Sequence, residues 1–219
     1  MGESDRVSNS PWLERLDHLV YAVPDLEKGI DQLEAGLGIR ATAGGRHVEE
    51  GTRNALIALG PDSYVEILGP DPSQAVPDRP LWLGLEGLAE PRLTAWAIKA
   101  SRLEATRDRV RAAGVRLGPV VEGSRKRPDG TLLSWEFTDP HVVVAEGLVP
   151  FLIDWGGSPH PAASASGGLS LVALRAEHPH PAGVRSLVRA LGLNLPVTKG
   201  PRAALIAGLQ SPKGFIELR

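Results

Sequence analysis

The chain has 219 residues, 42% of them hydrophobic and 23% charged, with a formal net charge of −2 and no cysteine. That is globular composition sufficient for one large domain or two small ones, and it excludes a disordered tail, a collagen-like fibre and a coiled coil. The near-neutral balance leaves no basic footprint for nucleic acid or an anionic membrane surface, and the missing thiols exclude disulfides, thiolate metal sites and cysteine nucleophiles. No apolar run reaches the roughly 18–20 residues of a membrane span, and the start of the chain lacks a stretch of signal-peptide length, so a soluble cytoplasmic protein is expected.

Residues 1–15 are polar and read as a flexible arm. Residues 16–23 (LDHLVYAV) are apolar and rich in strand formers, and Pro24-Asp25 ends them. Asp25 can cap a helix whose Leu26, Ile30, Leu33 and Leu37 recur at spacings of three and four, ended by Gly36 and Gly38. A glycine-rich loop over 43–47 and two strands over 53–59 and 64–68 follow. The order then recurs: strand 93–100, helix 103–113 stopped by Gly114, and strands 115–122, 131–137 and 151–155, with Pro128-Asp129-Gly130 as a hairpin turn. Residues 156–168, mostly Gly, Ser, Pro and Ala, read as a linker. A third unit has a strand over 169–176, a helix over 182–191 and strands over 195–199, 203–209 and 215–218. The chain thus predicts an α+β fold of repeated strand–helix–strand units. Leu37-Gly38-Ile39 echoes Leu191-Gly192-Leu193, and Tyr64-Val65-Glu66-Ile67 echoes Phe215-Ile216-Glu217-Leu218, each at the same place within its unit.

The segment 16–26 (LDHLVYAVPDL), with Gly44-Gly45-Arg46-His47, Gly51-Thr52-Arg53-Asn54 and Tyr64-Val65-Glu66, resembles the glyoxalase-like branch of the vicinal oxygen chelate superfamily. The likeness extends more weakly to residues 125–130 and 150–155. The resemblance implies βαβββ modules that pair into a cupped, mostly antiparallel sheet with helices on its outer face. It places a glyoxalase-like domain over 16–155 (modules 16–70 and 92–155) and a third module over 169–219. In that superfamily a divalent metal chelates two neighbouring substrate oxygens in isomerases, dioxygenases and epimerases, while other members bind small molecules without metal. The fold alone does not choose among these.

Strand alternation puts His18 on a face with Leu16, Val20 and Ala22, and Glu66 with Tyr64 and Leu68. A His and a Glu among apolar neighbours must be paired, hydrogen-bonded or metal-bound. An imidazole and a carboxylate suit Mn, Fe, Ni or Zn, and the superfamily pattern makes His18 and Glu66 one module's ligand pair. The matching positions elsewhere are Ala95 or Trp96 and Leu171 for the histidine, and Ile153 or Asp154 and Glu217 for the carboxylate. A three-ligand site of His18 and Glu66 with Asp154 or Glu217 is the metal-bound alternative, with His47 able to swing in; a metal-free cavity in which His18 and Glu66 bond each other is the other. Glu66, or Asp154 if it lies near, is the candidate proton shuttle once displaced from a metal.

Arg46, His47 and Asn54 are candidate substrate contacts, against the plainer reading of solvated loop residues. Arg125 and Arg127 flank the hairpin turn, either as a wet loop or as a guanidinium clamp for an anion. Trp96, Trp135 and Trp155 are candidate cavity walls, although a large aromatic is more often core. His160, His178 and His180 each precede a proline and read as turn residues. No phosphate loop, dinucleotide fingerprint or serine elbow occurs, so no nucleotide cofactor is expected. The expected function is a lyase, isomerase or dioxygenase acting on a small molecule through a divalent metal, with metal-free sequestration as the alternative. Three units cannot all pair within one chain, so the third is expected to leave a partner face that a homodimer would cover.

Overall fold

In the computed structural model, which describes residues 11–47, 50–75 and 77–219, three strand–helix–strand units follow one another. The first comprises Leu16–Ala22 (β1), Leu26–Leu37 (α1), Thr42–His47 (β2), Thr52–Gly60 (β3) and Ser63–Pro70 (β4). The second comprises Arg92–Lys99 (β5), Leu103–Ala112 (α2), Val120–Lys126 (β6), Leu132–Thr138 (β7) and Phe151–Asp154 (β8). The third comprises Ser170–His178 (β9), Pro181–Ala190 (α3), Val197–Lys199 (β10), Ala204–Ser211 (β11) and Gly214–Leu218 (β12).

The first two units are built alike and close on each other. In each, the first strand pairs in parallel with the fourth, and the other two follow, giving the barrel order β1-β4-β3-β2-β6-β7-β8-β5. Two antiparallel seams, β1 with β5 and β2 with β6, join the units and leave this sheet without a free edge. Helix α1 forms where predicted: Asp25 accepts the Lys28 N–H, and Gly38 ends the helix in the left-handed region at φ 74°. Gly36 lies inside α1 rather than ending it. Gly192 repeats the stop after α3 at φ 73°, so the echo between the two helix ends is a shared turn.

Alternation divides the apolar residues between two cores. Val20, Ala22, Leu68, Ala95, Ala97, Leu133, Phe137, Phe151 and Ile153 fill the barrel. Leu19, Val65, Ile67, Trp96, Ile98 and Leu152 point outward against the helices and the third unit. Leu16 also joins the outer core, against the simple alternation expected, because β1 carries a bulge: Leu16 pairs with Ile98 and His18 with the very next residue, Ala97. The extra residue is Asp17.

The third unit repeats the element order but not the sheet. Its first strand pairs with its second in parallel, giving the order β10-β9-β11-β12. Its apolar face, Leu174, Ala176, Leu205, Ala207 and Leu209, packs into the same outer core as α1 and β1. The Leu93 N–H donates to the Arg219 carbonyl at 2.8 Å, and Arg15 donates to the Leu191 carbonyl at 2.7 Å. The face for which a second copy was expected is therefore covered within the chain. Of the arm expected over 1–15, residues 1–10 lie outside the described residues; Pro11–Arg15 form a 3-10 helix whose buried Trp12 meets Trp96 edge-on.

Two segments read as loops are structural. Residues 43–47, expected to be a glycine loop, belong to β2, which pairs along β3 and, at Arg46 and His47, also with β6. A Cβ at Gly44 would lie 2.1 Å from Asn54 Oδ1 and 2.8 Å from Arg125 Nη1, and one at Gly45 would lie 2.2 Å from the Lys126 carbonyl. The glycine pair lets two polar side chains cross that strand. The expected linker over 156–168 contains a 3-10 helix, Pro161–Ser164, whose Ala162 packs on Leu56, Ala58 and Tyr64 inside the barrel. Opposite it, Trp82, Leu83 and Leu85 of the connection between the units join the barrel core.

Gly44→Ala forces the Asn54 and Arg125 side chains aside and should cost about 1–3 kcal/mol in urea unfolding. Gly36→Ala, a helical position with nothing within 4 Å of the added carbon, should instead stabilise by roughly 0.5–1 kcal/mol.

Candidate active site

The barrel interior carries a polar cluster assembled from five strands: His18 on β1, Glu66 on β4, Asn54 on β3, His47 on β2 and Arg125 on β6, all buried. Burial obliges each to find partners. The bulge in β1 brings the Asp17 carboxylate beside the ring of His18, with Oδ1 2.7 Å from Nδ1. The other Asp17 oxygen accepts from Trp155 Nε1 at 3.0 Å and faces His160 Nε2 at 3.3 Å. His160 Nδ1 accepts the Ala162 N–H, which leaves its proton on Nε2 to donate to Asp17. Burial pushes the Asp17 carboxyl up, but the bonds from His160 and His18 and their charge outweigh it and hold it at about 2. The ionised acceptor at Nδ1 holds the His18 ring and leaves Nε2 facing Glu66 Oε2, 3.7 Å away. The ring is held by Tyr64, stacked at 4.8 Å, and by the edge contact with Phe151.

On its other side, Glu66 Oε1 accepts from Asn54 Nδ2 and lies 3.7 Å from His47 Nε2. Asn54 Oδ1 accepts from Arg125 Nη1 at 3.0 Å. The Thr52 hydroxyl receives Trp82 Nε1 at 3.1 Å and sits 2.9 Å from His47 Nδ1. Burial lowers the His47 imidazole to about 4; the Glu66 carboxylate opposes this, while Arg125 and His18 add to it. His47 is therefore neutral at pH 7. Burial likewise pushes the Tyr64 phenol well above its ordinary value.

The free space at the centre of this chamber is about 20 Å³, room for a water or two. Trp82, Trp135, Phe137 and Trp155 line both the chamber and an outer cleft of about 980 Å³. Ligand bulk belongs in the cleft, and only a small head reaches the polar cluster.

The structure brings together His18, Glu66, His47, Asn54, Arg125, Trp135 and Trp155 from the residues singled out in the sequence. It places others elsewhere. Trp96 points into the outer core and donates to the Leu148 carbonyl, because Ala95 and Ala97 are the inward residues of β5. Arg46 is exposed and reaches Asp71, and Arg127 bonds Ser164 of the 3-10 helix after β8. Asp154 faces the outer cleft and accepts the Gly156 N–H. Glu217 is exposed on β12 and paired with Arg175, since the third sheet is ordered differently and closes no barrel around it. His47 is fixed on a strand and has no need to swing in. Asp17 and His160 were not foreseen. A lone aspartate inside an apolar strand is itself a signal, since burial demands a partner, whereas nothing around His160 marks it.

The second unit adds no metal-ligating side chain to His18 and Glu66. The residues of the second unit that face into the barrel near His18 and Glu66 are Ala97, Phe151 and Ile153. Among the described residues, no three His, Asp or Glu groups are placed to share a metal. The Asn54 amide already occupies Glu66 and lies 3.4 Å from His47 Nε2, and the Arg125 guanidinium already supplies positive charge to the carboxylate.

Two paired βαβββ units closing on an inward polar cluster define a member of the vicinal oxygen chelate superfamily. Within it, a family profile described as a glyoxalase-like domain matches residues 16–192, and the chain belongs to that family. Among solved structures, a hypothetical protein from Staphylococcus aureus is similar at a TM-score of 0.62 and 13% identity, over 92% of this chain and 84% of that one. Methylmalonyl-CoA epimerase from Mycobacterium tuberculosis is similar at a TM-score of 0.41 and 23% identity, over 70% of this chain and 90% of that one. The epimerase from Streptomyces coelicolor, in complex with 2-nitronate-propionyl-CoA, gives 0.43 and 23%, over 66% of this chain and 96% of that one. No curated protein matches the chain. No helix among the described residues is long and apolar enough to cross a membrane.

Titration of His47 has a definite sign. Between its ordinary value of 6.5 and the folded value of about 4, the unfolded chain holds a proton on this ring and the folded chain does not. Stability is thus lost as pH falls from 6.5 toward 4, by on the order of 3 kcal/mol. His47→Gln should flatten the fall in urea-unfolding free energy between pH 7 and pH 5. The Asp17 contribution acts in a lower window, present above its ordinary 3.8 and lost as pH falls toward about 2.

Proposed function

We propose that the protein is a small-molecule enzyme that moves a proton at a carbon next to a carbonyl, as an isomerase, epimerase or lyase does, and that His18 and Glu66 are its acid–base pair. The observation carrying this reading is the Asp17-braced imidazole whose free Nε2 lies 3.7 Å from the Glu66 carboxylate inside a nearly closed chamber. A buried ionised aspartate on Nδ1 fixes the tautomer and stabilises the imidazolium that forms when Nε2 takes a proton. Glu66 is oriented by Asn54 to accept or return a proton at a neighbouring position. The wall of Trp82, Trp135 and Trp155 admits a reacting head and excludes bulk water. The ligand is a small molecule, with no part in this reading for nucleic acid, nucleotide or membrane.

The size of the outer cleft favours a second reading, sequestration of a planar ligand against Trp135 and Trp155 with no turnover. Exchange separates the two. Proton NMR in D2O over a panel of ketones, thioesters and 2-hydroxyketones should show loss of the proton adjacent to the carbonyl. Glu66→Gln and His18→Asn should each slow this exchange by about 10²–10⁴-fold. Saturable binding without exchange would establish sequestration instead.

Because the ligand positions of the second unit are apolar, protein purified without chelator should carry no stoichiometric Mn, Fe, Ni or Zn, and exchange should survive EDTA. A bound ion lost in His18→Ala would restore the metal-dependent reading and defeat this one.

A further inference from the structure

Among the described residues Arg125 is the one buried Lys or Arg, 2% exposed. A guanidinium has five N–H donors. Among the described residues this one makes a single side-chain hydrogen bond, to Asn54 Oδ1, and its Nε–H, fully enclosed, has no acceptor. An enclosed charged donor left without a partner is costly, and the local backbone is arranged to keep it in place. Gly44 and Gly45 are bare where the Arg125 side chain crosses β2: a Cβ at Gly44 would lie 2.8 Å from Nη1, and one at Gly45 would lie 3.0 Å from Cγ. On β2, His47 pairs directly with Arg125 across the seam between the two units, so the guanidinium enters the chamber opposite His18 and Glu66.

We propose that Arg125 is a catalytic electrophile that takes the place of a metal: its Nη2 N–H groups, which make no hydrogen bond among the described residues and are not enclosed as Nε is, receive the carbonyl oxygen of the substrate as that oxygen becomes negative. This rests on the proton-transfer reading above. The C–H bond beside the carbonyl breaks, its proton passes to His18 Nε2 or Glu66, and its electron pair forms a C=C bond while the carbonyl pair moves onto oxygen. Arg125 donates hydrogen bonds to that oxygen and gives up no proton. Reprotonation at carbon reverses the flow, so no co-reactant is required. The charge count favours this order of events. At rest Arg125 is joined to the buried Glu66 carboxylate through the Asn54 amide. An oxyanion becomes favourable beside it only once the proton has reached the base, so Arg125 binds the transition state more strongly than the ground state.

The same count defines the substrate class. A head that enters already negative meets the Glu66 carboxylate as well as the guanidinium. In the cleft, Glu122, Glu136 and Asp154 lie in register across β6, β7 and β8, and none pairs with a Lys or Arg among the described residues. The substrate is an uncharged or cationic carbonyl compound with a flat body that lies against Trp135 and Trp155, and not an anionic or phosphorylated one.

The probe is 4-nitrophenol, a flat neutral molecule whose oxygen becomes anionic with a visible colour change and without turnover. Bound to the wild-type protein, it should ionise at a lower pH than in buffer, with its ionisation constant raised about tenfold or more. Arg125→Gln should abolish that shift and slow carbonyl-adjacent exchange by about 10²–10³-fold. Arg125→Lys, which keeps the charge but loses the fork, should retain an intermediate shift, and its melting temperature checks folding. 4-Nitrophenyl phosphate should compete at least about tenfold more weakly than 4-nitrophenol. No saturable binding of 4-nitrophenol, an unshifted ionisation, or a shift unchanged in both variants overturns the proposal, and equal competition by the phosphate overturns the substrate class. If Glu66→Gln stops exchange while Arg125→Gln leaves it intact, this inference fails and the acid–base pair stands; if Glu66→Gln has no effect, the pair itself fails.

Discussion

A carboxylate removed from water must be met by hydrogen-bond donors or it will not remain charged, and this barrel encloses two of them. Asp17 collects its neighbour His18 and, from the segment after β8, Trp155 and His160, and Glu66 is met by Asn54. These obligations decide the rest of the site. They set the tautomer of His18, require the bulge in β1 that turns Asp17 inward, and recruit the segment after β8 as a fixed part of the barrel. Arg125 then enters as the counter-charge to an interior that would otherwise be strongly negative.

Closure of the barrel makes such an interior tolerable. The first two units meet along two antiparallel seams, so that neither leaves an edge and the inward faces see only each other. Those faces are unequal. The first unit supplies the polar groups except Arg125, and the second supplies Ala95, Ala97, Phe151 and Ile153, which form an apolar back wall. A superfamily architecture suited to ligands from both halves has here become one reactive wall facing one inert wall, with a guanidinium entering at the seam.

Much of this was legible in the sequence. Helical spacing and caps located α1 and α3, and the repeat of strand–helix–strands identified the units, because periodic burial leaves a periodic trace. His18 and Glu66 stood out as polar residues in apolar strands and do converge. The glycine pair at 44 and 45 is visible in the sequence, but glycine in a strand also marks the close passage of other side chains, here Asn54 and Arg125. Trp96 has the chemistry of a cavity wall, but its parity along β5 sends it into the outer core.

The echo between β4 and β12 shows where a sequence stops being informative. Tyr64-Val65-Glu66-Ile67 and Phe215-Ile216-Glu217-Leu218 carry the same pattern, yet Glu66 is buried in a barrel and Glu217 is paired with Arg175 on an open sheet. By itself the sequence determined which segments are strands and helices, that their order repeats three times, and which strands carry buried polar groups, since these follow from local propensity and alternation. Only the tertiary structure decided which units close on each other, that a one-residue bulge brings Asp17 to His18, and that His160, distant along the chain, completes the pair. Strand order and register depend on contacts between residues far apart in sequence, and no local pattern encodes those.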